Sequence, residues 1–345
     1  MITKTLSTPV GLAVLPRLMR LTALAAGFLG LLPGCSNDDE TVVTPAAPAA
    51  PARISVPQAS LSPEGIQYDE ANQRFYVSSR TKGTIGAVRD DSTYTEFGKD
   101  SRLISTIGLN LDAGRQRLLA AVSDNGFNPN FVNQPTLRKL AALAIFNSST
   151  GALTRYVDLG GLRPTGMHFA NDIAVDKDGN AYITDSMSPI IYKVDLQGAA
   201  SVFLENAQLS GGTGFGLNGI VYHPDGYLLT AKTSDGTLFK VPISNPAGFT
   251  TVTKTQSLVG ADGLLLFDNT TLLVVSGSQA TVFRMATADA WATTTATGSF
   301  ATGAVGATTI TKRGSDAYVL YPYNATAPRF KIVKAVFSAG TACCR

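Results

Sequence analysis

Glu64-Gly65-Ile66-Gln67-Tyr68-Asp69, followed closely by Arg74-Phe75-Tyr76-Val77-Ser78, is the stretch of sequence that decides the fold. It contains one residue before a glycine, a short apolar strand, a turn and a second apolar strand. Variants of this motif occur five more times, and successive copies are 43 to 64 residues apart. The residues in its first position, here called the axial positions, are Glu64, Ile107, Asn171, Asn218, Asp262 and Ala307. Repeats of about 40–50 residues with about four strands each are typical of a β-propeller.

The pattern therefore predicts an all-β fold, a six-bladed β-propeller over residues 53–338. Short apolar runs alternate with Asp-Gly, Asn-Gly and Gly-Thr turns, which is typical of strands joined by tight connections. The last copy has its third strand near residues 330–336 and then runs out of chain. We expect residues 53–56 to supply the missing fourth strand, because one blade built from both ends closes the ring and leaves no open edge.

Four axial positions carry side-chain oxygens, and blades around one axis would bring them together. They are Glu64, Asn171, Asn218 and Asp262. Two carboxylates and two amides suit Ca²⁺, which takes about six to eight oxygen ligands. Mg²⁺, Mn²⁺ or Zn²⁺ could replace it, although Zn²⁺ is poorly suited to a set without Cys or His. Ile107 and Ala307 would leave one side of the ion apolar. The alternative is that these are ordinary strand-start residues without a common role.

Several segments resemble the senescence marker protein/gluconolactonase family, whose superfamily includes diisopropyl fluorophosphatase and the paraoxonases. They are Pro63-Glu64-Gly65-Ile66, Asn171-Asp172-Ile173-Ala174-Val175-Asp176, Asn218-Gly219-Ile220 and Asp262-Gly263-Leu264. The resemblance covers about residues 53–337 and is weaker in the second and sixth copies. It implies the six-bladed fold, an axial calcium set at Glu64, Asn171, Asn218 and Asp262, and hydrolysis of lactones, aryl esters or some phosphotriesters. The His pair of the paraoxonases has no obvious counterpart.

Three residues are candidates for catalysis. Asp262 is a candidate base or nucleophile as well as a ligand, because Ca²⁺ activates water less than Zn²⁺ does. Asp172 could orient its neighbour Asn171, or it could simply bond to backbone. His168 is either a proton shuttle or an ordinary loop histidine. Residues 124–138, which we interpret as a lid, and 205–217 are expected to form pocket walls on the face of the axial positions.

These residues predict a metal-dependent hydrolase, a lactonase or esterase, that acts on a small-molecule substrate. The alternative is a non-catalytic propeller that binds a ligand or a protein and holds a structural ion, because propellers serve many functions. A condensing enzyme of the strictosidine synthase type is a weaker hypothesis, since no dedicated catalytic acid can be located.

The first residues have the features of a secretory signal. Lys4, Arg17 and Arg20 accompany an uncharged apolar run over residues 21–32. The run ends in Leu32-Pro33-Gly34-Cys35, which resembles a bacterial lipobox and implies cleavage after residue 34 and lipidation of Cys35. A transmembrane anchor is the weaker alternative, because a span needs roughly 20 apolar residues. Residues 35–52 form a charged, then Pro/Ala-rich tether. Ser36 predicts a lipid-anchored location at the outer membrane, facing the periplasm.

The charge balance limits the partners. The chain has 28 Lys and Arg against 25 Asp and Glu. Three of the positive charges fall within residues 1–34, so the remainder is close to neutral, which argues against a nucleic-acid partner. We expect a monomer whose contact with the membrane is its N-terminal lipid. Residues 339–345 are predicted to be a tail, and no role is assigned to Cys343 and Cys344.

Overall fold

The structure, a computed structural model, describes residues 49–131 and 134–339. The predicted signal peptide, the lipidation site Cys35, the predicted tether up to residue 48 and the tail from residue 340 lie outside these residues. No helix in the described ranges is both long and apolar enough to cross a membrane.

In the described part of the chain, six sheets follow one another, and each is a blade named by its strands. All their strand pairs are antiparallel except the short β18 with β22 in blade 5. The first strand of the chain is β1 (Arg53–Val56). Blade 1 contains β2 (Ile66–Asp69), β3 (Arg74–Val77), β4 (Ile85–Val88) and β5 (Tyr94–Gly98). Blade 2 contains β6 (Ser105–Asp112), β7 (Arg117–Ser123), β8 (Ala141–Asn147) and β9 (Leu153–Asp158). Blade 3 contains β10 (Ala170–Val175), β11 (Ala181–Asp185), β12 (Ile190–Val194) and β13 (Ala200–Glu205).

The second half of the chain continues the same order. Blade 4 contains β14 (Leu217–His223), β15 (Tyr227–Lys232), β16 (Leu238–Pro242) and β17 (Thr250–Thr251). Blade 5 contains β18 (Thr253–Lys254), β19 (Ala261–Asp268), β20 (Thr271–Ser276), β21 (Thr281–Ala286) and β22 (Thr293–Ala301). Blade 6 contains β23 (Ile310–Arg313), β24 (Asp316–Tyr321) and β25 (Phe330–Lys334). The short β26 (Ser338–Ala339) pairs with β22 of blade 5. Among the residues that the structure describes, five short 3-10 helices lie at Ala113–Arg115, Pro129–Phe131, Gly160–Leu162, Ala207–Leu209 and Pro246–Gly248.

The innermost strands of the six blades are packed in a closed circle. The strands β2, β6, β10, β14, β19 and β23 each contact the next, and β23 contacts β2. In blade 6 the outermost strand is β1, which pairs antiparallel with β25. The all-β, six-bladed propeller predicted from the repeat is therefore confirmed.

The hydrophobic core is divided into six clusters, one at each interface between neighbouring blades. Alternate residues of one strand belong to different clusters. In β7, for example, Leu119 packs toward blade 3 and Leu118 packs toward blade 1. Both faces of the inner strands are thus buried, which explains why the sequence shows continuous apolar runs instead of a strict alternation.

Candidate metal centre

The axial positions of blades 2 to 5 lie in β-bulges of the innermost strands. In β10 the pairing with β11 is interrupted between Ala170 and Ile173, so Asn171 and Asp172 fall outside the regular ladder. The same interruption occurs at Ile107-Gly108 of β6, Asn218-Gly219 of β14 and Asp262-Gly263 of β19. A bulge bends its strand and redirects a side chain. The repeated motif therefore marks a bulge within these strands, whereas the sequence had indicated only the start of a strand.

The glycine after an axial position allows the next blade to approach closely. A Cβ atom on Gly108 would collide with the backbone of blade 3 at the carbonyl oxygen of Asn171. A Cβ atom on Gly219 would collide in the same way with the carbonyl oxygen of Asp262 in blade 5. Because backbone atoms cannot move aside as a side chain can, these positions bring adjacent innermost strands together at the axis.

Two blades have a polar residue in place of this glycine, and each bonds to the next blade. In blade 3 the carboxylate of Asp172 accepts the backbone N–H of Ile173 at 2.9 Å and that of Ile220, in blade 4, at 3.2 Å. In blade 6 the hydroxyl of Thr308 donates to the carbonyl oxygen of Glu64 at 3.0 Å. Asp172 thus bonds to backbone, the second of the two roles considered for it. No hydrogen bond joins it to the Asn171 side chain within the described residues.

The four predicted ligands line one small cavity on the propeller axis. The axial cavity has a volume of about 10 Å³ and is lined by Glu64, Gly65, Gly108, Asn171, Asp172, Asn218, Asp262, Gly263 and Thr309. This is about the space that one water molecule needs. The axial cavity therefore has room for a single small ion or water surrounded by side-chain oxygens.

Ile107 and Ala307 do not line the axial cavity. Ile107 packs between blades 2 and 3, and Ala307 packs between blades 5 and 6. Thr309 contributes to the cavity wall from blade 6 instead. The expectation of an apolar side formed by these two residues is therefore wrong, because their side chains fill the interfaces between blades.

The two amides are oriented by hydroxyl groups that sequence reasoning missed. The Asn171 amide N–H donates to Ser186 Oγ at 2.9 Å, and Ser186 Oγ donates onward to the carbonyl oxygen of Leu217 at 2.6 Å. Likewise, the Asn218 amide donates to Thr233 Oγ1 at 3.1 Å. Each hydroxyl thus accepts one N–H of an amide, and the side chain of Asn218 also bonds to Asp262, which opposes the rise in the pKa of that carboxyl group. Each hydroxyl lies 15 residues after its amide, a constant spacing that could have revealed both.

Glu64 is held differently. Its Oε2 atom is buried and has no hydrogen-bond partner among the described residues. Arg80 Nη1 lies 3.3 Å from this oxygen, which is close enough for an ion pair although the angles are not those of a hydrogen bond. Burial raises the pKa of Glu64, and the charge of Arg80 opposes that rise.

Burial also dominates the electrostatics of the other two carboxyl groups. It raises the pKa of Asp262 well above the ordinary value, with a further contribution from the charge of Glu64, against opposing effects of Arg80 and Asn218. It raises the pKa of Asp172 to about 7, although the two backbone N–H groups favour the ionised form. Three carboxyl groups thus border one desolvated space, where a cation would favour their charged forms.

His168 lies outside the axial cavity and is almost fully buried. Its Nδ1 atom is 2.8 Å from the carboxylate of Asp185, and its Nε2 atom is 2.8 Å from the carbonyl oxygen of Arg163. Tyr192 donates its hydroxyl hydrogen to the same Asp185 carboxylate. Burial lowers the pKa of His168, but the bonds to Asp185 and Arg163 outweigh it, and the pKa is raised. With both ring nitrogens bonded to protein, His168 has the environment of a structural histidine.

A larger cavity lies between the two segments predicted to form pocket walls. Its volume is about 280 Å³, and it is lined by Asn125, Arg138, Met167, Met187, Gly212, Thr213, Gly214 and Phe215. Met187 directly follows Ser186, the residue that orients Asn171. In the first of these segments, the Phe127 ring lies 4.5 Å from the guanidinium carbon of Arg80, the residue that is paired with Glu64. Another cavity, of about 400 Å³, lies at the edge of blades 5 and 6, away from these residues.

The axial set is unusual in its mixture of donors. Among the described residues, no group of three or more His, Cys, Asp or Glu side chains has the arrangement of a metal site. The four predicted ligands contain two carboxylates, and the other two are amides. Asp172, the third carboxyl group of the cavity, has both oxygens occupied by backbone N–H groups.

Comparison with known structures identifies the same architecture elsewhere. The allergen Mala s 1 of Malassezia sympodialis is 19% identical, with a TM-score of 0.66 over 84% of this chain and 97% of its own. A calcium-binding regucalcin of Agrobacterium tumefaciens is 15% identical, with a TM-score of 0.58 over 83% of this chain and 94% of its own. A gluconolactonase of Xanthomonas campestris is 17% identical, with a TM-score of 0.56 over 85% and 99%. At such identities the similarity shows the fold alone.

Sequence comparison adds the family. No curated protein sequence matches the chain at a significant level. The profile of the family described as "SMP-30/Gluconolactonase/LRE-like region", however, matches residues 62–305, which is more than half of the chain. This range contains all four oxygen-bearing axial positions. The chain therefore belongs to the SMP-30/gluconolactonase/LRE-like family.

Proposed function

We propose that this protein is a divalent-metal-dependent hydrolase of lactones or related esters, with its metal site in the axial cavity. The observation that carries the proposal is the convergence of Glu64, Asn171, Asn218 and Asp262 on a cavity of about 10 Å³. The family and its named members, a gluconolactonase among them, support the reaction class.

The residues present fit a hard divalent cation. Glu64 contributes a buried oxygen without a hydrogen-bond partner among the described residues. Asn171 and Asn218 would contribute amide oxygens, and a hydroxyl group accepts an N–H of each amide. Oxygen donors of this kind suit Ca²⁺ best, and Mg²⁺ or Mn²⁺ next. The similar regucalcin is described as a calcium-binding protein. A bound ion would supply a Lewis acid for the carbonyl oxygen of the substrate.

The chain's own residues would bind the substrate and move its protons. The cavity of about 280 Å³, whose wall includes the residue after Ser186, would hold the body of the substrate, with Met167, Met187 and Phe215 as apolar walls and Arg138 as a polar anchor. Asp262 is the candidate base or nucleophile, because its carboxyl group lines the axial cavity where the ion and the reacting carbonyl group would meet. Asp172 holds blades 3 and 4 in register through its backbone bonds.

A second candidate function is a non-catalytic propeller that binds a small ligand or a protein. The observation that favours it is the ion pair between Arg80 and Glu64, at 3.3 Å. This pair provides an internal positive charge at the same place, so the carboxylate does not depend wholly on a metal ion for compensation.

Thermal unfolding of the purified protein in EDTA and in Ca²⁺ tests the metal site on which the hydrolase proposal depends. A cation that binds the folded state alone must increase the free energy of unfolding by mass action, by about 2.7 kcal/mol at a concentration one hundred times its Kd, and so raise the melting temperature. We expect Ca²⁺ to stabilise the wild type but not the Glu64→Gln/Asp262→Asn variant. A matched control, Asp178→Asn/Asp225→Asn, removes two exposed carboxylates and should respond like the wild type.

A positive result justifies a screen of lactones and aryl esters for Ca²⁺-dependent hydrolysis. If Ca²⁺, Mg²⁺ and Mn²⁺ all leave the wild-type melting temperature unchanged, the hydrolase proposal is wrong and the binding propeller replaces it.

A further inference from the structure

Arg80 places a fixed positive charge against the predicted metal site. It lies shortly after β3, and its Nη1 atom is 3.3 Å from Oε2 of Glu64. That oxygen is the one that has no hydrogen-bond partner among the described residues. Arg80 and a cation in the axial cavity would therefore be drawn to the same carboxylate.

The guanidinium group of Arg80 is held from two further sides. Ser62 Oγ accepts hydrogen bonds from its Nε at 3.2 Å and its Nη2 at 2.7 Å. Ser62 adopts φ of +43°, in the left-handed region that non-glycine residues seldom occupy, so the local backbone is strained where it presents this hydroxyl. On the other side, the Phe127 ring from blade 2 lies 4.5 Å from the guanidinium carbon. Only 19% of the Arg80 side chain is exposed.

A fixed guanidinium must weaken the binding of a cation beside it. The affinity of an oxygen site for Ca²⁺ depends on the number of negative charges among its ligands. Glu64 and Asp262 supply two such charges, and Arg80 compensates part of one of them. The positive charges of Arg80 and the bound ion also repel each other across a space from which water is largely excluded.

We propose that Arg80 is a built-in competitor of the divalent cation, which sets the cation concentration at which the axial site fills. The inference rests on the proposed metal site. Arg80 compensates the negative charge of Glu64 when the free cation is scarce, and the cation takes over that compensation when it is abundant. The axial site therefore fills only at a higher cation concentration than it would without Arg80. Arg80 is thus a positioning residue that acts through Glu64.

Calorimetric titration of the full chain with Ca²⁺, after removal of EDTA, tests the proposal. We expect Arg80→Gln to bind Ca²⁺ at least about tenfold more tightly than the wild type, because the competing charge is lost. The matched control is Arg102→Gln, which removes the same charge from a similar environment. Arg102 is paired with Asp100 and lies over the ring of Tyr156, but 54% of its side chain is exposed. Its substitution should leave the Kd unchanged.

A second variant keeps the test decisive if Arg80→Gln does not fold. Ser62→Ala retains the charge but removes the hydroxyl that holds it, so we expect Ca²⁺ binding to tighten about two- to fivefold. An unchanged or weaker affinity in the folded Arg80 variant, or in Ser62→Ala if the Arg80 variant does not fold, overturns the competitor role while the proposed function stands. Binding by Arg80→Gln without binding by the wild type supports the competitor role and contradicts the proposed function. If none of the proteins binds Ca²⁺, Mg²⁺ or Mn²⁺, both proposals fail.

Discussion

The two amides and the Glu64 carboxylate of the axial site are held in place in opposite ways. Asn171 and Asn218 each donate an N–H to a hydroxyl group at the end of the neighbouring strand. The carboxylate of Glu64, in contrast, receives no hydrogen bond at Oε2 from the described residues, and its one cationic contact there is Arg80. The two amides are therefore fixed by neutral hydrogen bonds, whereas the Glu64 carboxylate depends on a positive charge.

This difference separates what the fold provides from what a cation must provide. The neutral hydrogen bonds of the two amides are satisfied whether or not an ion is bound. Buried carboxylates carry a desolvation penalty until a cation compensates them. Conditions that change the charge should therefore act on Glu64, Asp172 and Asp262, while substitutions of hydroxyl groups should act on the amides.

The largest effect is expected from pH in the absence of metal. The folded-state pKa of Asp172 is raised from 3.8 to about 7. The folded protein then binds more protons than the unfolded chain in this range, so the free energy of unfolding falls as pH rises from about 4 to about 7. Three pKa units correspond to at most about 4 kcal/mol. Chemical denaturation in EDTA at several pH values measures this slope, and Ca²⁺ should stabilise the protein more strongly at the upper end.

The variant Asp172→Asn isolates this contribution. It cannot ionise, so its unfolding free energy should depend less on pH than that of the wild type between about pH 4 and 7. Its absolute stability also changes, since an amide replaces one acceptor of the N–H groups of Ile173 and Ile220, and for this reason the slopes are compared. Equal slopes for the two proteins would contradict the assignment of a raised pKa to Asp172.

A smaller effect is expected when the two amides are loosened. Ser186→Ala and Thr233→Ala each remove the acceptor that orients an amide, and loss of such an orienting partner typically costs about 10- to 100-fold in metal affinity. Calorimetric titration with Ca²⁺ measures the change. Ser188→Ala is the matched control, because its hydroxyl donates to the carbonyl oxygen of Met167 and does not contact Asn171. A Ser186→Ala variant with wild-type affinity would show that the hydroxyl does not orient the amide.

The parts of this site that recur with the repeat could be predicted from the sequence. The interval between axial positions predicted the six blades, and the oxygen-bearing residues among them predicted which side chains line the axial cavity. The directions of Ile107 and Ala307 could not be derived, because the repeat fixes the position of a residue along the strand but not the direction in which its side chain turns at a bulge or before a strand. Both residues lie in the interfaces between blades.

Interactions that occur at one blade and do not recur with the repeat could not be predicted from the sequence. Arg80 reaches Glu64 because Ser62 adopts a left-handed conformation and because Phe127 from another blade covers the guanidinium group. No repeated pattern in the sequence indicates the conformation of Ser62 or the position of Phe127. Ser186 and Thr233 do have a repeated pattern, the constant spacing from their amides, and a search for polar residues at fixed offsets from the axial positions would have found them.

The smallest effect is expected at the backbone of Glu64, where this residue does have a neutral anchor. The Thr308 hydroxyl donates to the carbonyl oxygen of Glu64 at 3.0 Å and joins blade 6 to blade 1 at the axis. Thr308→Val keeps the shape of the side chain and removes the bond, which should lower the free energy of unfolding by about 1 kcal/mol. Thr308→Ser retains the hydroxyl and should recover most of that loss in chemical denaturation. Because the bond involves backbone and not the carboxylate, Ca²⁺ affinity should change less than in Ser186→Ala. A larger change in Thr308→Val would mean that the position of Glu64 is fixed by the contact between blades 6 and 1 more than by the charge of Arg80.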